Sequence, residues 1–455
     1  MRARRASLDT LAAVHERDAY ANLVLPGMLR ARGITGPDAA RATDLTYGTL
    51  RGLGTYDRII DACASRPLPQ IDARVLAALR LGTHQLLAGR VPPHAAVSTT
   101  VDLVRHDSGA GAARFANAVL RAVAERDIDG WVDVLVGAKG QAGTDERERL
   151  ALRHLHPRWI VDALADSLGS EQSRLEHVLA ADNVPPTVTV VALPDRSSVA
   201  ELVEAGAAPC RWASTAATAP PGDPRDIRAV REGRARVQDE GSQLVTQALL
   251  AADIAVPDDT WLDMCAGPGG KTALLAAVAA QRGVGVLSAE LHGHRAGLVA
   301  EAVSRAGLGG VADVVRADST RPPWASGSFS RVLLDAPCTG LGALRRRPEA
   351  RWRRSPADLE RLVPLQRALL HAALDSAAIG GVVGYVTCSP HLAETVEIVE
   401  AVLRERADVG VEDAAALLDI GGAARGPYVQ LWGDVHGTDA MFLAVLRRTG
   451  RAGTA

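Results

Sequence analysis

Apolar residues recur at helical spacing from Ser7 to about Asp182. Val75, Leu76, Leu79 and Leu86 form one such set, and Phe115, Val119, Leu120 and Val123 form another. Pro92-Pro93 and the glycines 109 and 111 interrupt the pattern, as residues at helix ends do. This part of the chain is therefore predicted to be a bundle of five or more helices. It carries no cluster of acids, bases or nucleophiles, and its histidines, 84, 94 and 106, are expected at the surface or in helix caps.

The period changes at Thr187-Val-Thr-Val-Val191, where alternation typical of a strand begins. The segment 186–236 contains Pro220-Pro221 and Pro224, and it is predicted to be a small mixed α/β linker subdomain. We expect three domains, which are a helical domain over 1–135, a helical and α/β linker over 136–236, and an α/β domain over 237–450.

Strand and helix patterns alternate after residue 260. The predicted strands are 260–264, 284–289, 312–316, 330–334 and 381–387. Strands that alternate with helices indicate a parallel, doubly wound sheet. Two later apolar runs, 428–432 and 441–446, flank a short glycine-containing loop and are predicted to close the sheet as a hairpin.

The stretch Trp261–Thr272 combines a strand, a glycine-rich turn and a helix. Gly267, Gly269 and Gly270 let backbone N–H groups approach a ligand, and a helix N-terminus favours an electronegative group. The end Gly-Lys-Thr resembles a phosphate-binding loop, but that pattern requires glycine where this chain has Cys265. A dinucleotide-binding pattern also fits poorly. The turn therefore indicates a nucleoside cofactor, with an ordinary α/β turn as the alternative.

Length and composition limit the class of protein to which this chain can belong. The 455 residues are 47% hydrophobic and 23% charged, as in globular proteins of more than one domain. No apolar run is long enough for a membrane span and no signal core follows Met1, so we expect a soluble, cytoplasmic protein and favour a monomer. The five cysteines include no C-x-x-C pair, so neither a disulfide framework nor a metal site is expected.

Charge is informative only locally, because the net charge is −2. Six arginines and Trp352 lie within ten residues at 345–354, a density that suits phosphates and an exposed base, with a solvated charged loop as the alternative. Only two of the 51 basic residues, Lys139 and Lys271, are lysine. A lysine retained in the glycine turn indicates that a compact point charge is needed there.

Acids and thiols follow successive predicted strands. The strand ends carry Asp263 and Cys265, then Glu290, then Asp318, then Asp335 to Cys338, and finally Thr387 to Pro390. Parallel strands present their carboxyl ends at one edge, where ligands bind. We expect Glu290 to accept hydrogen bonds from ribose hydroxyls and Asp318 to meet an adenine amino group. Helix caps or solvated loop acids are the alternatives for each alone.

The two thiols at strand ends indicate the reaction. Cytosine C5 is a poor nucleophile, so its methylation requires a thiolate that adds to C6, which is covalent catalysis. A second group must then allow loss of the C5 proton and release of the thiol, and an acid beside N3 and N4 would assist the addition. The chain offers Cys388, Cys338 and Asp335 for these tasks. Two buried, inert cysteines are the alternative.

Several segments resemble known families. Asp44–Arg51, Leu79–Leu87, Pro92–Val97 and Phe115–Arg121 are similar to the helical NusB-type RNA-binding domain at the front of bacterial RsmB (Fmu/Sun) rRNA methyltransferases. Leu334–Gly342 and Tyr385–Pro390 resemble the paired-cysteine motifs of the NOL1/NOP2/Sun RNA m5C methyltransferases, and with 263–272 and 346–352 the resemblance covers essentially the whole chain.

This resemblance implies a Rossmann-like methyltransferase domain that acts on 16S rRNA with S-adenosylmethionine. It implies Cys388 as the nucleophile, Cys338 as the cysteine of product release and Asp335 as the acid that contacts the base. The implied cofactor-binding residues are Cys265, Ala266, Gly267, Pro268, Gly269, Gly270, Lys271, Glu290, Asp318 and Asp335.

Three other functions compete with this interpretation. A non-catalytic NusB-like RNA-binding or antitermination factor would not need both thiols at strand ends. An m5C methyltransferase that acts on another RNA would share every motif quoted above. An ATPase that uses Lys271-Thr272 is disfavoured by Cys265.

Overall fold

The computed structural model describes residues 1–16, 19–89, 91–137 and 145–450. The chain forms two compact units. The helical unit comprises Met1–Val184 together with Leu344–Ser355, and the sheet unit comprises Pro185–Ala343 together with the chain from Pro356 onward. No helix in the described ranges has the length and apolar character that crossing a membrane requires.

The helices are numbered in chain order. They are α1 (Arg2–Glu16), α2 (Ala21–Ala31), α3 (Gly36–Cys63), α4 (Ala73–Leu87), α5 (Pro93–Val123), α6 (Ile128–Gly137), α7 (Glu146–Arg153), α8 (Arg158–Leu168), α9 (Leu175–Ala181), α10 (Val199–Glu204), α11 (Arg228–Arg231), α12 (Glu240–Ala251), α13 (Gly270–Arg282), α14 (Gly293–Arg305), α15 (Ala350–Arg353), α16 (Ala357–Ser376), α17 (Val396–Glu405), α18 (Ala414–Leu418) and α19 (Gly433–His436).

The strands are numbered in the same way. They are β1 (Thr189–Ala192), β2 (Ala208–Pro209), β3 (Ala216–Thr218), β4 (Ala235–Val237), β5 (Thr260–Met264), β6 (Gly285–Glu290), β7 (Ala312–Arg316), β8 (Phe329–Asp335), β9 (Ala377–Thr387), β10 (Val409–Glu412), β11 (Ala424–Arg425), β12 (Tyr428–Gln430) and β13 (Phe442–Arg448).

The helical unit buries the apolar positions that the sequence pattern predicts. Val75 and Leu79 of α4 and Leu120 of α5 pack in one core, to which α3 also contributes apolar residues. Pro93 begins α5, and Gly109 breaks it with a φ of +84°, a left-handed conformation that favours glycine. The helical bundle is confirmed.

The expectation for one histidine of this unit is wrong. His84 is buried, and its Nδ1 lies 3.1 Å from the hydroxyl of Tyr56. Burial lowers the pKa of His84 to about 4, so the ring stays neutral in the core. His84 faces Gly48, where an added Cβ would lie 2.2 Å from its Nε2, so the ring occupies space that a small residue leaves.

Nine of the described strands form the large sheet of the sheet unit, in the order β11-β12-β13-β9-β8-β5-β6-β7, with β10 paired to β13. The strands from β9 to β7 are parallel, and β13 runs antiparallel to β9 and β12. This confirms the predicted doubly wound sheet and closing hairpin. The strands β10 and β11 and the short helix α19 are additions that the pattern does not predict.

The linker segment contains a small antiparallel sheet of order β2-β3-β1-β4 among the described strands. Val190, Leu202 and Ala217 pack in its core with α10 and α11 nearby. It belongs to the same compact unit as the large sheet, whereas α7 to α9 belong to the helical unit. The limits at 135 and 236 thus lie inside compact units, and as domain limits they stay predictions.

The topology determines where a ligand binds. After β5 the chain moves outward through β6 and β7 and then returns to β8 on the other side of β5. Loops that leave two neighbouring strands in opposite directions open a crevice at the carboxyl ends of those strands. The ends of β5 and β8 lie at this point.

Candidate active site

The glycine turn has the strand, turn and helix predicted for it. Cys265 adopts a φ of +60°, and Gly269 adopts a φ of +93° directly before α13. The N–H of Gly269 donates to the carbonyl of Ala266 at 2.8 Å and closes the turn. A Cβ on Gly269 would lie 2.9 Å from the Cβ of Ala302, so the helix α14 can pack closely only against glycine at this position.

Glu290 ends β6 and is buried beside this turn. Its Oε2 accepts from the N–H of Gly267 at 3.0 Å and from Nε of Arg295 at 3.2 Å, and its Oε1 accepts from the N–H of His292 at 3.0 Å. These bonds hold the carboxylate in one orientation at the crevice. A carboxylate has about four acceptor positions, so capacity remains for hydroxyl donors.

Asp318 lies in the loop after β7 and is exposed. Its Oδ1 accepts from the N–H and the hydroxyl of Thr320, at 3.0 and 2.7 Å. These hydrogen bonds hold the pKa of Asp318 below its ordinary value. An ionised, oriented acceptor fits an amino group, and the proposed adenine contact stays a prediction.

Asp263 is fully buried at the end of β5. The hydroxyl of Thr272 donates to its Oδ2 at 2.5 Å, while its Oδ1 has no hydrogen-bond partner among the described residues. Burial raises the pKa of Asp263 to about 7, with Asp335 and Glu290 adding to the shift. Burial likewise raises the pKa of the Cys265 thiol, which therefore stays protonated and serves the turn through its backbone.

Lys271 and Asp335 form an ion pair across the crevice. Nζ of Lys271 lies 2.7 Å from Oδ2 of Asp335, which joins the first turn of α13 to the end of β8. Burial alone would lower the pKa of Lys271, but the charge and hydrogen bond of Asp335 outweigh it and raise the pKa. The retained lysine therefore stays charged beside the strand ends.

Cys338 and Cys388 meet at the ends of the neighbouring strands β8 and β9. Their Sγ atoms are 3.4 Å apart, which is hydrogen-bond distance for sulfur, and both are free thiols. The hydrogen bond between the two thiols lowers the pKa of Cys388, and Lys271 adds a smaller effect in the same direction. The same bond raises the pKa of Cys338. Cys388 is thus the more acidic thiol, chiefly because of its partner thiol rather than Lys271.

Glu394 organises the two cysteine loops, and the sequence pattern did not predict it. Its buried carboxylate accepts from the N–H of Thr339 at 2.8 Å, from the Thr339 hydroxyl, and from Nε2 of Gln366 at 3.0 Å. The Thr339 hydroxyl also lies 3.2 Å from the Ser389 hydroxyl, and the N–H of Gly342 donates to the carbonyl of Cys388 at 2.9 Å. Hydrogen bonds therefore join the residues directly after Cys338 and Cys388.

The arginine-rich segment 345–354 is packed into the helical unit. The Arg351 side chain is 0% exposed and donates to the carbonyls of Leu155 and Asp182, at 2.9 and 3.2 Å, and to Oδ1 of Asn183 at 3.0 Å. Nε1 of Trp352 donates to the carbonyl of Arg51 at 3.0 Å. For Arg351, both the phosphate-binding and the solvated-loop expectations are wrong. Trp352 is half-buried, and its contact with a base stays a prediction.

The residues at the crevice fit an adenosyl cofactor. Besides Oδ1 of Asp263, both amide atoms of the buried Gln238 have no hydrogen-bond partner in the described part of the chain. Gln238 faces Gly270, where an added Cβ would lie 3.9 Å from its side chain. Buried polar atoms without partners are rare in proteins, and here they border the glycine turn. No group of three or more His, Cys, Asp or Glu in the described residues has a metal-binding arrangement.

Two protein-family models and several known proteins are similar to this chain. A family model described as "16S rRNA methyltransferase RsmB/F" matches residues 252–447, and the NusB family model matches residues 1–125. The chain is 51% identical to "Putative methyltransferase Rv1407" of Mycobacterium tuberculosis, over 98% of this chain and 96% of that protein.

The chain is also 33% identical to "Ribosomal RNA small subunit methyltransferase B" of Pseudomonas syringae pv. tomato, over 94% of this chain and 91% of that protein. The crystal structure of PH0851 matches with a TM-score of 0.80 and 20% identity over 98% of each chain, a likeness that shows the fold alone. This chain therefore belongs to the RsmB/F methyltransferase family and uses S-adenosylmethionine as its methyl donor.

Proposed function

We propose that this enzyme methylates C5 of a cytosine in 16S rRNA through a covalent adduct between Cys388 and C6 of the base. The observation that carries the proposal is the pair of thiols, 3.4 Å apart at neighbouring strand ends. The direction of the pKa shifts, lowered for Cys388 and raised for Cys338, supports the assignment of roles. A thiolate is the nucleophilic form of cysteine, so the more acidic Cys388 is assigned the attack. The name of the Pseudomonas relative supports small-subunit rRNA as the substrate.

The first step forms the bond between the Cys388 sulfur and C6. The electrons of the C5–C6 double bond move toward N3, where the Lys271–Asp335 pair supplies a proton. S-adenosylmethionine supplies the methyl group that C5 receives. Cys338 keeps its proton during this step.

The last step releases the product. The C5 proton passes to the Cys338 sulfur as that thiol passes its own proton to solvent. The C5–C6 double bond forms again, and the C6–sulfur bond breaks to return the Cys388 thiolate. The proton on N3 returns to the Lys271–Asp335 pair. One proton is released overall for each methyl group transferred, which balances the reaction.

The glycine turn and the acids at the end of β6 and after β7 would hold the cofactor. We assign the backbone of Cys265 to Gly270 to the methionine and ribose portions, Glu290 to the ribose hydroxyls and Asp318 to the adenine amino group. Glu290 is oriented by the turn itself, since its Oε2 accepts from Gly267. The proposed substrate places the enzyme in the cytoplasm, and we favour a monomer.

Bisulfite sequencing tests this proposal. The purified enzyme is incubated with S-adenosylmethionine and with 16S rRNA, 23S rRNA or transfer RNA, all transcribed without modifications. We expect one newly protected cytosine in 16S rRNA. Protection only in another RNA would identify a different substrate, and RNA binding without protection in any of them would favour the non-catalytic alternative.

A further inference from the structure

A second cavity lies in the sheet unit, on the Pro268 side of the glycine turn. Its volume is about 320 Å³, and it lies between β4 of the small sheet and α14. The charged residues that line it are Arg225, Arg236, Arg305 and Glu301. Its charge is therefore positive on balance.

Arg236 is the unusual member of this set. Its Nε is buried and has no hydrogen-bond partner among the described residues. The other two arginines are engaged, since Arg225 pairs with Asp223, and Arg305 donates to the carbonyl of Arg231 at 2.9 Å. Burial lowers the pKa of Arg236, and the positive charge of Arg305 adds to this, so an anion placed here would relieve both costs.

Apolar side chains form the rest of the cavity wall. Val237 and Leu298 are 50% and 37% exposed, and both line this cavity. A nucleotide presents an anionic phosphate together with a flat, largely apolar base and sugar. An unpaired strand can place one such unit in a pit, whereas a duplex presents only its outer backbone.

We propose that this cavity, lined by Arg236, Arg305, Val237 and Leu298, binds one nucleotide of single-stranded RNA substrate beside the cofactor turn. Arg236 holds its phosphate, Arg305 adds positive charge to the cavity wall, and Val237 and Leu298 contact the sugar or base. This inference rests on the proposed function, because it takes RNA as the substrate. The cavity shares Pro268 with the cofactor turn, so the bound nucleotide lies beside that turn.

The test measures binding of a fluorescein-labelled, 12-nucleotide single-stranded RNA to the full-length enzyme at 50–200 mM salt. Arg236→Met should weaken binding about tenfold, as expected for loss of a charge-assisted hydrogen bond. The slope of log affinity against log salt should fall by about 0.7, the value for one phosphate contact on a single strand. Arg236→Lys should retain the wild-type slope.

Arg228→Met is the matched control, because Arg228 is 77% exposed in the same small sheet region and pairs with Glu232 outside the cavity. Melting temperatures of all variants exclude unfolding as the cause. An affinity of Arg236→Met within twofold of Arg228→Met, or weaker binding with an unchanged salt slope, would overturn the proposal. Calorimetry with inorganic phosphate gives a further test. If phosphate bound wild type but not Arg236→Met, and both proteins bound RNA with the same affinity, the cavity would be a site for a small anion and the proposal would be wrong.

The proposal can fail separately from the proposed function. If wild type methylates 16S rRNA and Arg236→Met binds RNA normally, only the cavity assignment fails. If wild type binds the oligonucleotide through Arg236 yet methylates no RNA, the proposed function fails and the cavity assignment stands.

Discussion

Each unit of this protein buries a cluster of charged and polar residues, and the two clusters differ in what their groups face. In the helical unit, Arg351, Asp182, His156 and Asn183 form what we term the helical cluster. In the sheet unit, Cys338, Cys388, Lys271 and Asp335 form the thiol cluster. Both contain residues with shifted pKa values. In the helical cluster, burial lowers the pKa of Arg351 to about 9 and raises that of Asp182 to about 6. In the thiol cluster, the pKa of Cys388 is lowered and that of Cys338 is raised.

Most hydrogen bonds donated within the helical cluster go to main-chain carbonyls. Arg351 donates to two main-chain carbonyls and one amide oxygen, and Asn183 donates to the carbonyl of His154 at 2.8 Å. The Arg351 side chain is closed to solvent. Such a cluster joins segments that are distant in sequence, and it contains no nucleophile.

The thiol cluster instead combines side chains from two neighbouring strand ends and the glycine turn. Lys271 and Asp335 keep 12% and 30% of their side-chain surface exposed, so a substrate can reach them. The comparison teaches that a shifted pKa alone does not mark a functional site. Access to the side chains and a pair of neighbouring thiols, of which Cys388 is the proposed nucleophile, distinguish the thiol cluster from the helical cluster.

The largest expected effect comes from the two thiols. Cys388→Ala should reduce methyl transfer at least about 10³-fold, because the covalent step is lost, and should leave the affinity for S-adenosylmethionine nearly unchanged. Cys338→Ala should attack and methylate but fail to release the product. Enzyme covalently attached to RNA should then accumulate as a slow-migrating, nuclease-sensitive band on a denaturing gel.

The control is the double variant, which should show no band, as should Cys388→Ala alone. A band with Cys388→Ala would reverse the two roles. Absence of a band from every folded variant would count against the covalent mechanism, and the contrast with the helical cluster would then lose its chemical basis.

The second effect concerns stability rather than chemistry. Arg351→Met removes a buried cation whose partners remain buried, and we expect a loss of about 4 kcal/mol in the free energy of unfolding. Denaturant titration followed by circular dichroism measures it. The control is Arg347→Met, since Arg347 is exposed in the same segment. If Arg351→Met kept wild-type stability and instead weakened RNA binding, the helical cluster would be a binding site after all.

The third effect tests the residue that positions the thiol cluster. Glu394→Gln places an amide donor against the donors of Thr339 and Gln366, which displaces the Cys338 loop. We expect kcat to fall about 10²-fold, as for a small misplacement of reacting groups, with the KM for S-adenosylmethionine unchanged.

The control for this variant is Glu397→Gln, an exposed glutamate in the first turn of α17. The rate of Cys388 alkylation against pH gives a readout that a purely structural role would not move. Glu394→Gln should shift this profile to higher pH because Cys338 no longer donates well to Cys388. An unchanged profile would remove Glu394 from the positioning role.

The sequence predicts the parts of this structure that depend on local pattern. β5 begins and ends where expected, and the ends of β5, β6, β8 and β9 meet because parallel strands share one edge. The two thiols follow from this topology, since β8 and β9 are neighbours. Their contact distance and unequal acidity depend on side-chain geometry and required the structure.

Long-range packing explains what the sequence does not predict. The density of arginines at 345–354 indicates charge, but burial of Arg351 depends on carbonyls some 170 to 195 positions earlier. Glu394 lies in a loop without periodic pattern, so nothing local distinguishes it from a solvated glutamate. Histidine is polar, so the sequence predicts His84 at the surface. Its burial depends on Gly48, which leaves space for the ring, and on Tyr56, which hydrogen-bonds to it.

The smallest expected effect is the pH dependence of the helical cluster. Burial raises the pKa of Asp182 to about 6 in the folded protein, above its ordinary value of 3.8, against the opposing charges of Arg351, Arg345 and Arg51. A carboxyl whose folded pKa is raised stabilises the fold fully below pH 3.8, and this contribution is lost as pH rises through 6. Between pH 4.5 and 6.5 we expect a loss of about 1 to 2 kcal/mol.

Asp182→Asn tests this sign, because asparagine keeps the size and removes the titration. Its unfolding free energy should decline less between pH 4.5 and 6.5 than that of wild type, when both are measured by urea titration at several pH values. Asp166→Asn, at an exposed position of α8, should follow wild type. A decline that is equally steep in Asp182→Asn would show that Asp182 is ionised throughout. Its charge would then be held by Arg351 as a true buried ion pair, and the helical cluster would resemble the Lys271–Asp335 pair more closely than the geometry indicates.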